Sequence, residues 1–348
     1  SGRFLGHVHG MATDPLTTVV TAHEEAGDLV RVRLGPQPAY FLSGPQDIKR
    51  VLVDDADGYA KTTRGYELLR LILGNGLVTS EGDFWLRQRR IAQPGFHKKC
   101  LDGFAQTMVT SSRDLVERWG TVARAGTVVD VAEAMNLLTL RIAGETLMSV
   151  DMSTEAAEVS ESMSYALERF NDMVSSPLPM PYLWPTWSNF KLWRSVKSMH
   201  RVVDKIIADR RRSQVEVPDL LGMFMSSVDD ETGDGMNDRQ LRDEVLTMLL
   251  AGHETTANSL SWTLYLLSLN PEIMGRLQAE LDVVLAGRDP GVADLKGLSY
   301  TAQVVKESMR LYPPVWMLAR KSLSDRELSG YRIRKGAYVF FSPWAIHR

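Results

Sequence analysis

The sequence NDRQLRDEVLTMLLAGHETTANSLSWTLYLLS, residues 237–268, predicts one long helix. Such a helix spans ~45–50 Å, which is enough to cross a whole domain. Both halves are rich in apolar residues, but the centre, residues 251–256, holds a glycine, a histidine, a glutamate and two threonines. Burying these polar groups costs free energy unless each of them finds a partner. The pattern therefore favours either a functional site or a bent core helix, and physics alone leaves both open.

Composition limits the classes of protein that the 348-residue chain can belong to. Hydrophobic residues make up 44% of it and the net charge is −3, so a substantial core is expected and a nucleic-acid partner is not. The single cysteine, Cys100, excludes an internal disulfide and indicates a reducing compartment. No apolar run reaches the ~20 residues that span a bilayer. We expect a cytoplasmic protein of the soluble bacterial type.

The remaining pattern predicts a mainly α fold with a small β portion, in one domain over residues 1–348. Strands are expected within about 28–43 and 315–342, and helices within about 45–312. Residues 54–80 are expected to be irregular, because glycines interrupt them. The loop at 177–187, rich in proline and tryptophan, is either packed inward, a lid or a surface that touches a membrane. The predicted helices cover residues 14–27, 45–53, 83–93, 101–119, 130–148, 155–174, 189–213, 237–268, 270–286 and 299–311.

Three groups of side chains could carry chemistry. His253 and Glu254 suggest a zinc protease, but Ala257 stands where a second histidine is required, so that interpretation fails. Glu307 and Arg310 lie three residues apart on one helix face and can pair, as partly buried structural support. The third group is Trp85 and Arg89, whose indole N–H and guanidinium can reach one anion together; an amphipathic surface helix is the alternative.

These groups lie in the segments GDFWLRQRR at 82–90, AGHETT at 251–256 and KESMRLYPP at 306–314. Together they resemble the haem-propionate helix, the oxygen-binding segment and the Glu-x-x-Arg helix of the cytochrome P-450 family of haem-thiolate monooxygenases. The resemblance extends over essentially all 348 residues. It implies the P-450 fold around a long central helix, haem b, O2, a hydrophobic substrate and electrons from ferredoxin and its reductase or another NAD(P)H-dependent partner.

The resemblance also implies a role for each residue that matches the family's motifs. Thr255 and Glu254 would be catalytic, managing protons at bound dioxygen, and the 177–187 loop would roof the substrate site. The other implied roles are cofactor binding by Trp85, Arg89, Ala251, Gly252 and Arg320, substrate binding by Val315, Trp316 and Met317, and structural support by Glu307 and Arg310.

In the family, the axial cysteine ligand lies in a glycine-rich loop beyond the position at which this chain stops, at His347-Arg348. We therefore expect a truncated P-450 with no metal ligand of its own, in which haem is absent or unstably bound and activity belongs to a complete parent. Cys100 lacks the glycine framework and is not expected to replace the ligand. The alternative function is a non-catalytic helical protein that binds an apolar ligand without haem.

Overall fold

The structure is a computed structural model that describes residues 8–34, 37–150, 156–176, 182, 184–213, 217, 219–229 and 231–348. These residues form fourteen α-helices and seven strands. The helices are α1 Val8–Thr13, α2 Pro15–Ala26, α3 Pro45–Lys49, α4 Arg64–Leu73, α5 Gly82–Ala92, α6 Lys98–Arg124, α7 Val131–Met148, α8 Ala156–Ser175, α9 Trp187–Ser213, α10 Leu220–Ser226, α11 Asp238–Leu269, α12 Pro271–Leu285, α13 Ser299–Leu311 and α14 Pro343–Ile346. The strands are β1 Leu29–Leu34, β2 Gln37–Leu42, β3 Tyr59–Ala60, β4 Leu318–Ser322, β5 Arg326–Leu328, β6 Tyr331–Ile333 and β7 Tyr338–Phe341. The mainly α class with a small β portion is confirmed.

Strands from both ends of the chain meet in one five-stranded sheet, ordered β1-β2-β7-β4-β3. β1 and β2 form the expected antiparallel hairpin, and β2 continues parallel to β7, with Ala39 opposite Tyr338. The two strands expected around Lys335-Gly336 are present, but they join different sheets. β6 pairs with β5 in a separate hairpin, whereas β7 lies between β2 and β4.

Alternation along β2 explains how this sheet is covered on both faces. Tyr40 and Leu42 belong to one buried cluster, and Ala39 and Phe41 belong to a second cluster together with Val19 of α2. Successive side chains of a strand point to opposite faces, so an apolar run of this kind suits a strand buried on both sides.

The long helix is confirmed as α11. It begins at a capping box, in which the side chain of Asn237 accepts from the backbone N–H of Gln240 and the Gln240 side chain accepts in return. Its first half is enclosed by α4, α7, α9 and α10 and lies in the main apolar cluster. In the second half, Trp262 and Tyr265 are exposed, at 39% and 49% of their surface. Although both halves of the helix are rich in apolar residues, only the first half is therefore buried on several faces.

The prediction that residues 54–80 are irregular was wrong for most of residues 54–73, whereas residues 74–80 form a loop as predicted. The chain forms β3 and then α4, whose Ile72 and Leu73 are fully buried. Gly65 and the polar residues around it hide the helical period of α4, which tertiary contacts with α8 and α11 stabilise. The helix α10 was also missed. Within the described ranges, no helix is long and apolar enough to span a membrane.

Candidate active site

The centre of α11 presents two different faces. Ala251 and Gly252 are exposed, and a Cβ added to Gly252 would meet no atom within 4 Å. His253 is buried on the other face, and Ala257 packs with residues of α6 and α7, including Met135. The small residues therefore leave an open surface at the middle of the helix that a flat ligand can approach closely.

Glu254 and Thr255 border this open surface. Burial raises the pKa of Glu254, since desolvation penalises the charged carboxylate. The Thr255 hydroxyl donates to the Ala251 carbonyl one turn earlier, with 2.5 Å between the oxygens. This bond leaves the Oγ1 lone pairs of Thr255 able to accept a proton donor. The pair thus combines a carboxyl whose pKa is raised by burial with a neighbouring hydroxyl acceptor.

A group of cations surrounds Trp85 on α5. The Arg89 Cζ lies 5.5 Å and the Lys61 Nζ lies 5.7 Å from the centroid of the Trp85 ring. Lys61 was not predicted as a site residue, and the fold brings it here from the segment that follows β3. Its pKa falls to about 8, chiefly because burial disfavours the charged amine and also because Arg320 lies close by.

Arg320 extends this group from β4. Its Nη1 donates to the hydroxyl of Tyr66 at 3.3 Å and to its neighbour's carbonyl, that of Ala319, at 2.9 Å. No carboxylate among the described residues forms a salt bridge with Lys61, Arg89 or Arg320 by the usual distance criterion of ~4 Å. Three cations beside an indole N–H are donors that suit an anion with two carboxylates, so these residues fit the propionates of haem.

The three residues expected to contact substrate have different surroundings. Val315 is exposed, whereas Trp316 and Met317 are half-buried and pack against the cluster that contains Phe41. The Trp316 carbonyl also accepts from the hydroxyl of Ser342 at 2.6 Å. Val315 is therefore the most accessible of the three side chains.

Glu307 and Arg310 form the expected pair on α13. The guanidinium donates two bonds of 2.8 Å to the carboxylate and a third, from Nη1, to the backbone carbonyl of His347 at 2.5 Å. Arg310 lowers the pKa of Glu307 through these bonds. The pair is more exposed than expected, with 57% of the Glu307 side chain accessible. Its contacts join α13 to the turn after α14 rather than reaching the centre of α11.

Two further expectations concern the predicted roof loop at 177–187 and Cys100. Most of the expected roof loop, namely residues 177–181 and 183, lies outside the described residues, while Trp184 and Trp187 beside it are exposed. Cys100 is half-buried, with its Sγ 3.9 Å from the Pro94 carbonyl. No cluster of three or more His, Cys, Asp or Glu suited to a metal ion occurs in the described part of the chain.

The amino-acid sequence matches known proteins over nearly its whole length. A family model described as Cytochrome P450 matches residues 2–348. Cyclooctatin synthase of Streptomyces melanosporofaciens is 36% identical over 351 residues, covering 99% of this chain and 74% of the relative. Cyclooctat-9-en-7-ol 5-monooxygenase of the same organism is 33% identical over 99% of this chain and 73% of its own length. Pentalenene oxygenase of Streptomyces avermitilis is 34% identical, with coverages of 99% and 75%.

The family match and the relatives agree with the resemblance seen in the three sequence segments. They do not favour the alternative of a non-catalytic protein that binds an apolar ligand without haem. The chain therefore belongs to the cytochrome P450 family and is a haem b-dependent monooxygenase, which inserts one oxygen atom of O2 into a hydrophobic substrate with electrons from a redox partner.

Proposed function

We propose that three cations around Trp85 hold the haem carboxylates. These cations are Lys61, Arg89 and Arg320. The observation that supports this assignment is the grouping of these cations around Trp85 and Tyr66. The Lys61 Nζ lies 5.7 Å and the Arg89 Cζ 5.5 Å from the centroid of the Trp85 ring. Arg320 is bonded to the Tyr66 hydroxyl. An anion in this place would relieve the repulsion among these cations and would accept a hydrogen bond from the indole N–H of Trp85. When bound, the haem supplies the iron at which O2 is activated for insertion into a C–H bond.

The middle of α11 performs the protein's part of the chemistry in this proposal. Ala251 and Gly252 leave room for the reacting molecules beside the helix. Burial raises the pKa of Glu254, which suits this carboxyl to act as a proton donor beside the helix. Thr255 accepts a hydrogen bond at Oγ1 while its own proton is donated to the Ala251 carbonyl, and this bond keeps the hydroxyl oriented. Glu307 and Arg310 support the fold and take no part in the reaction.

We propose an apolar terpenoid as the substrate class. One relative is a pentalenene oxygenase and another a 5-monooxygenase of cyclooctat-9-en-7-ol, and by name both act on unsaturated compounds. The exposed Val315, at the start of the segment that leads into β4, gives the site an apolar side chain for such a molecule. Half-buried Trp316 and Met317 would pack behind Val315 and shape the same side of the substrate site.

We propose ferredoxin and a ferredoxin reductase as the source of electrons. The P450 family model accounts for residues 2–348 as one unit, which leaves no flavin-binding region within this stretch. Turnover with a ferredoxin system but not with a diflavin reductase would support this assignment, and the reverse result would contradict it.

The absorbance of the reduced holoenzyme with carbon monoxide tests the haem assignment. In a protein preparation that includes the family's axial cysteine loop, we expect the red-shifted Soret band of a thiolate-ligated haem. A correctly folded preparation of the same protein that binds no haem would overturn the proposed site. Product analysis with terpenoid hydrocarbons then tests the substrate class, where a preference for fatty acids would contradict it.

A further inference from the structure

The loop of residues 74–80, between α4 and α5, is bound to the long helix through its backbone. The N–H of Asn75 donates to the Asp243 carboxylate at 2.9 Å, and the N–H of Leu77 donates to the Glu244 carboxyl at 3.0 Å. Both acidic side chains are almost completely buried, with 4% of Asp243 and 1% of Glu244 exposed. A buried carboxyl is costly unless its oxygens are bonded, so these two bonds are a built contact between helix and loop.

Two glycines allow this close approach. A Cβ at Gly76 would lie 2.2 Å from the hydroxyl of Thr247 and 2.7 Å from the backbone oxygen of Asp243. Gly74 adopts a φ of +72°, and a Cβ there would lie 2.3 Å from the Asp243 carboxyl. The Gly-Asn-Gly segment therefore serves to bring the loop backbone against α11.

The opposite side of the loop is held by Lys61. Its Nζ donates to the carbonyls of Leu77 at 3.2 Å and Val78 at 3.0 Å. The backbone N–H of Lys61 donates to the side chain of Glu81, which is the N-cap residue of α5. A continuous series of contacts thus runs from α11 through the loop and Lys61 to the start of α5, where Trp85 lies.

We propose that Asp243 and Glu244 are positioning residues, which clamp the 74–80 loop to α11 and thereby set the position of Lys61 and Trp85. Neither carboxyl is among the residues assigned to haem, oxygen or substrate. The clamp itself follows from the contacts between the loop and α11. Its consequence for haem rests on the proposed function, in which Lys61 and Trp85 hold the haem. Burial raises the pKa of Glu244 to about 7, so its carboxyl is protonated in a substantial fraction of molecules near neutral pH, and an uncharged amide is a close replacement for it.

Amide hydrogen exchange in the holoenzyme, resolved to single residues, tests the clamp. In Glu244→Leu we expect the Leu77 amide to exchange at least about tenfold faster, because its acceptor is removed. Glu244→Gln keeps an acceptor and should restore slow exchange. Glu244→Asp, which withdraws the carboxyl by one methylene, provides a milder variant and should give an intermediate rate. A Leu77 amide that exchanges equally slowly in the Leu, Asp and Gln variants would overturn the clamp.

The rate of haem loss to an acceptor protein tests the positioning role. We expect about tenfold faster loss in Glu244→Leu and near-normal loss in Glu244→Gln. Thr263→Val is the matched control, since it removes a buried hydrogen bond from the same helix, the 2.8 Å bond to Ser308, far from the loop. Faster exchange at Leu77 with haem loss no greater than in the control would contradict the positioning role. That outcome would leave the proposed haem site intact, because the haem affinity of a Lys61→Met variant tests that site directly.

Discussion

Glu254 and Thr255 follow each other in the chain, but their side chains are suited to different steps of a proton transfer. The Glu254 carboxyl is desolvated and keeps its proton to a higher pH than a free carboxyl does. The Thr255 hydroxyl is already bonded to the helix backbone and offers lone pairs outward. In the proposed function, the acid supplies a proton and the hydroxyl directs where it goes.

Thr255→Ala should separate haem binding from product formation. The holoenzyme should retain its haem, because Thr255 is not among the residues assigned to holding it. Product formed per NAD(P)H consumed should fall at least about tenfold, with hydrogen peroxide rising in its place, since a positioned general acid-base group contributes roughly 10²–10⁴-fold to proton transfer. Thr256→Ala, at the exposed neighbouring position, is the control. Unchanged coupling in Thr255→Ala would contradict the role given to this hydroxyl.

Lys61→Met should weaken haem binding. The substitution keeps the apolar stem but removes one charged donor from the group around Trp85. A hydrogen bond to a charged group is worth roughly 1.5–3 kcal/mol, so we expect the haem dissociation constant to rise about tenfold or more. Lys306→Met, at an exposed position on α13, should leave it unchanged. Equal dissociation constants in the two variants would argue against Lys61 as a haem-binding residue.

At the scale of elements, the contact between the 74–80 loop and α11 depends on the absence of a side chain at Gly76. Gly76→Ala should lower the free energy of unfolding by about 1–3 kcal/mol, because the added methyl overlaps backbone as well as the Thr247 hydroxyl. Gly103→Ala, in α6 with nothing within 4 Å of its Cβ position, should be neutral or stabilising by about 0.5–1 kcal/mol. Denaturant unfolding measures both, and equal effects would show that the loop does not need the close approach.

Glu244 should also make stability depend on pH. Its pKa is about 7 in the folded protein and 4.5 in the unfolded chain, so the folded state binds the extra proton between these values. Stability should therefore decrease as pH rises from about 4.5 to about 7, by up to roughly 3 kcal/mol. Burial is the main cause, Asp243 reinforces it and Lys61 opposes it. Glu244→Gln should lack this decrease in unfolding scans across the interval, and an unaltered pH profile would refute the assignment.

The long elements could be predicted from sequence because their signals are local. The capping box and apolar period of α11 lie within the helix itself, and so do the pairs on α5 and α13. The loop contact could not be predicted, because Asn75 and Leu77 meet partners 168 and 167 residues away. Without those partners the two glycines only indicate an irregular segment. Lys61 was missed for the same reason, since only the folded chain places it beside Trp85.

At the scale of the whole molecule, Arg310 connects α13 to the chain after α14. Arg310→Ala removes two bonds to Glu307 and one to the His347 carbonyl. We expect a lower unfolding temperature and less haem incorporated during expression. Arg310→Lys should not rescue either property, because an ammonium cannot reproduce the planar fork of donors. Lys306→Ala on the same helix is the control. A stable, fully loaded Arg310→Ala protein would show that the pair is dispensable.

The parallel pairing of β2 with β7 has a consequence for biosynthesis. Ala39 and Tyr338 lie roughly 300 residues apart, so the contact has a high sequence separation and a large loop-closure cost. During translation β2 leaves the ribosome long before its partner exists, while the intervening helices can already collapse on each other. The edge of β2 that later pairs with β7 therefore stays unpaired until the end of the chain has been synthesised. Chaperone dependence of the nascent chain should be concentrated at that edge and should end when β7 emerges.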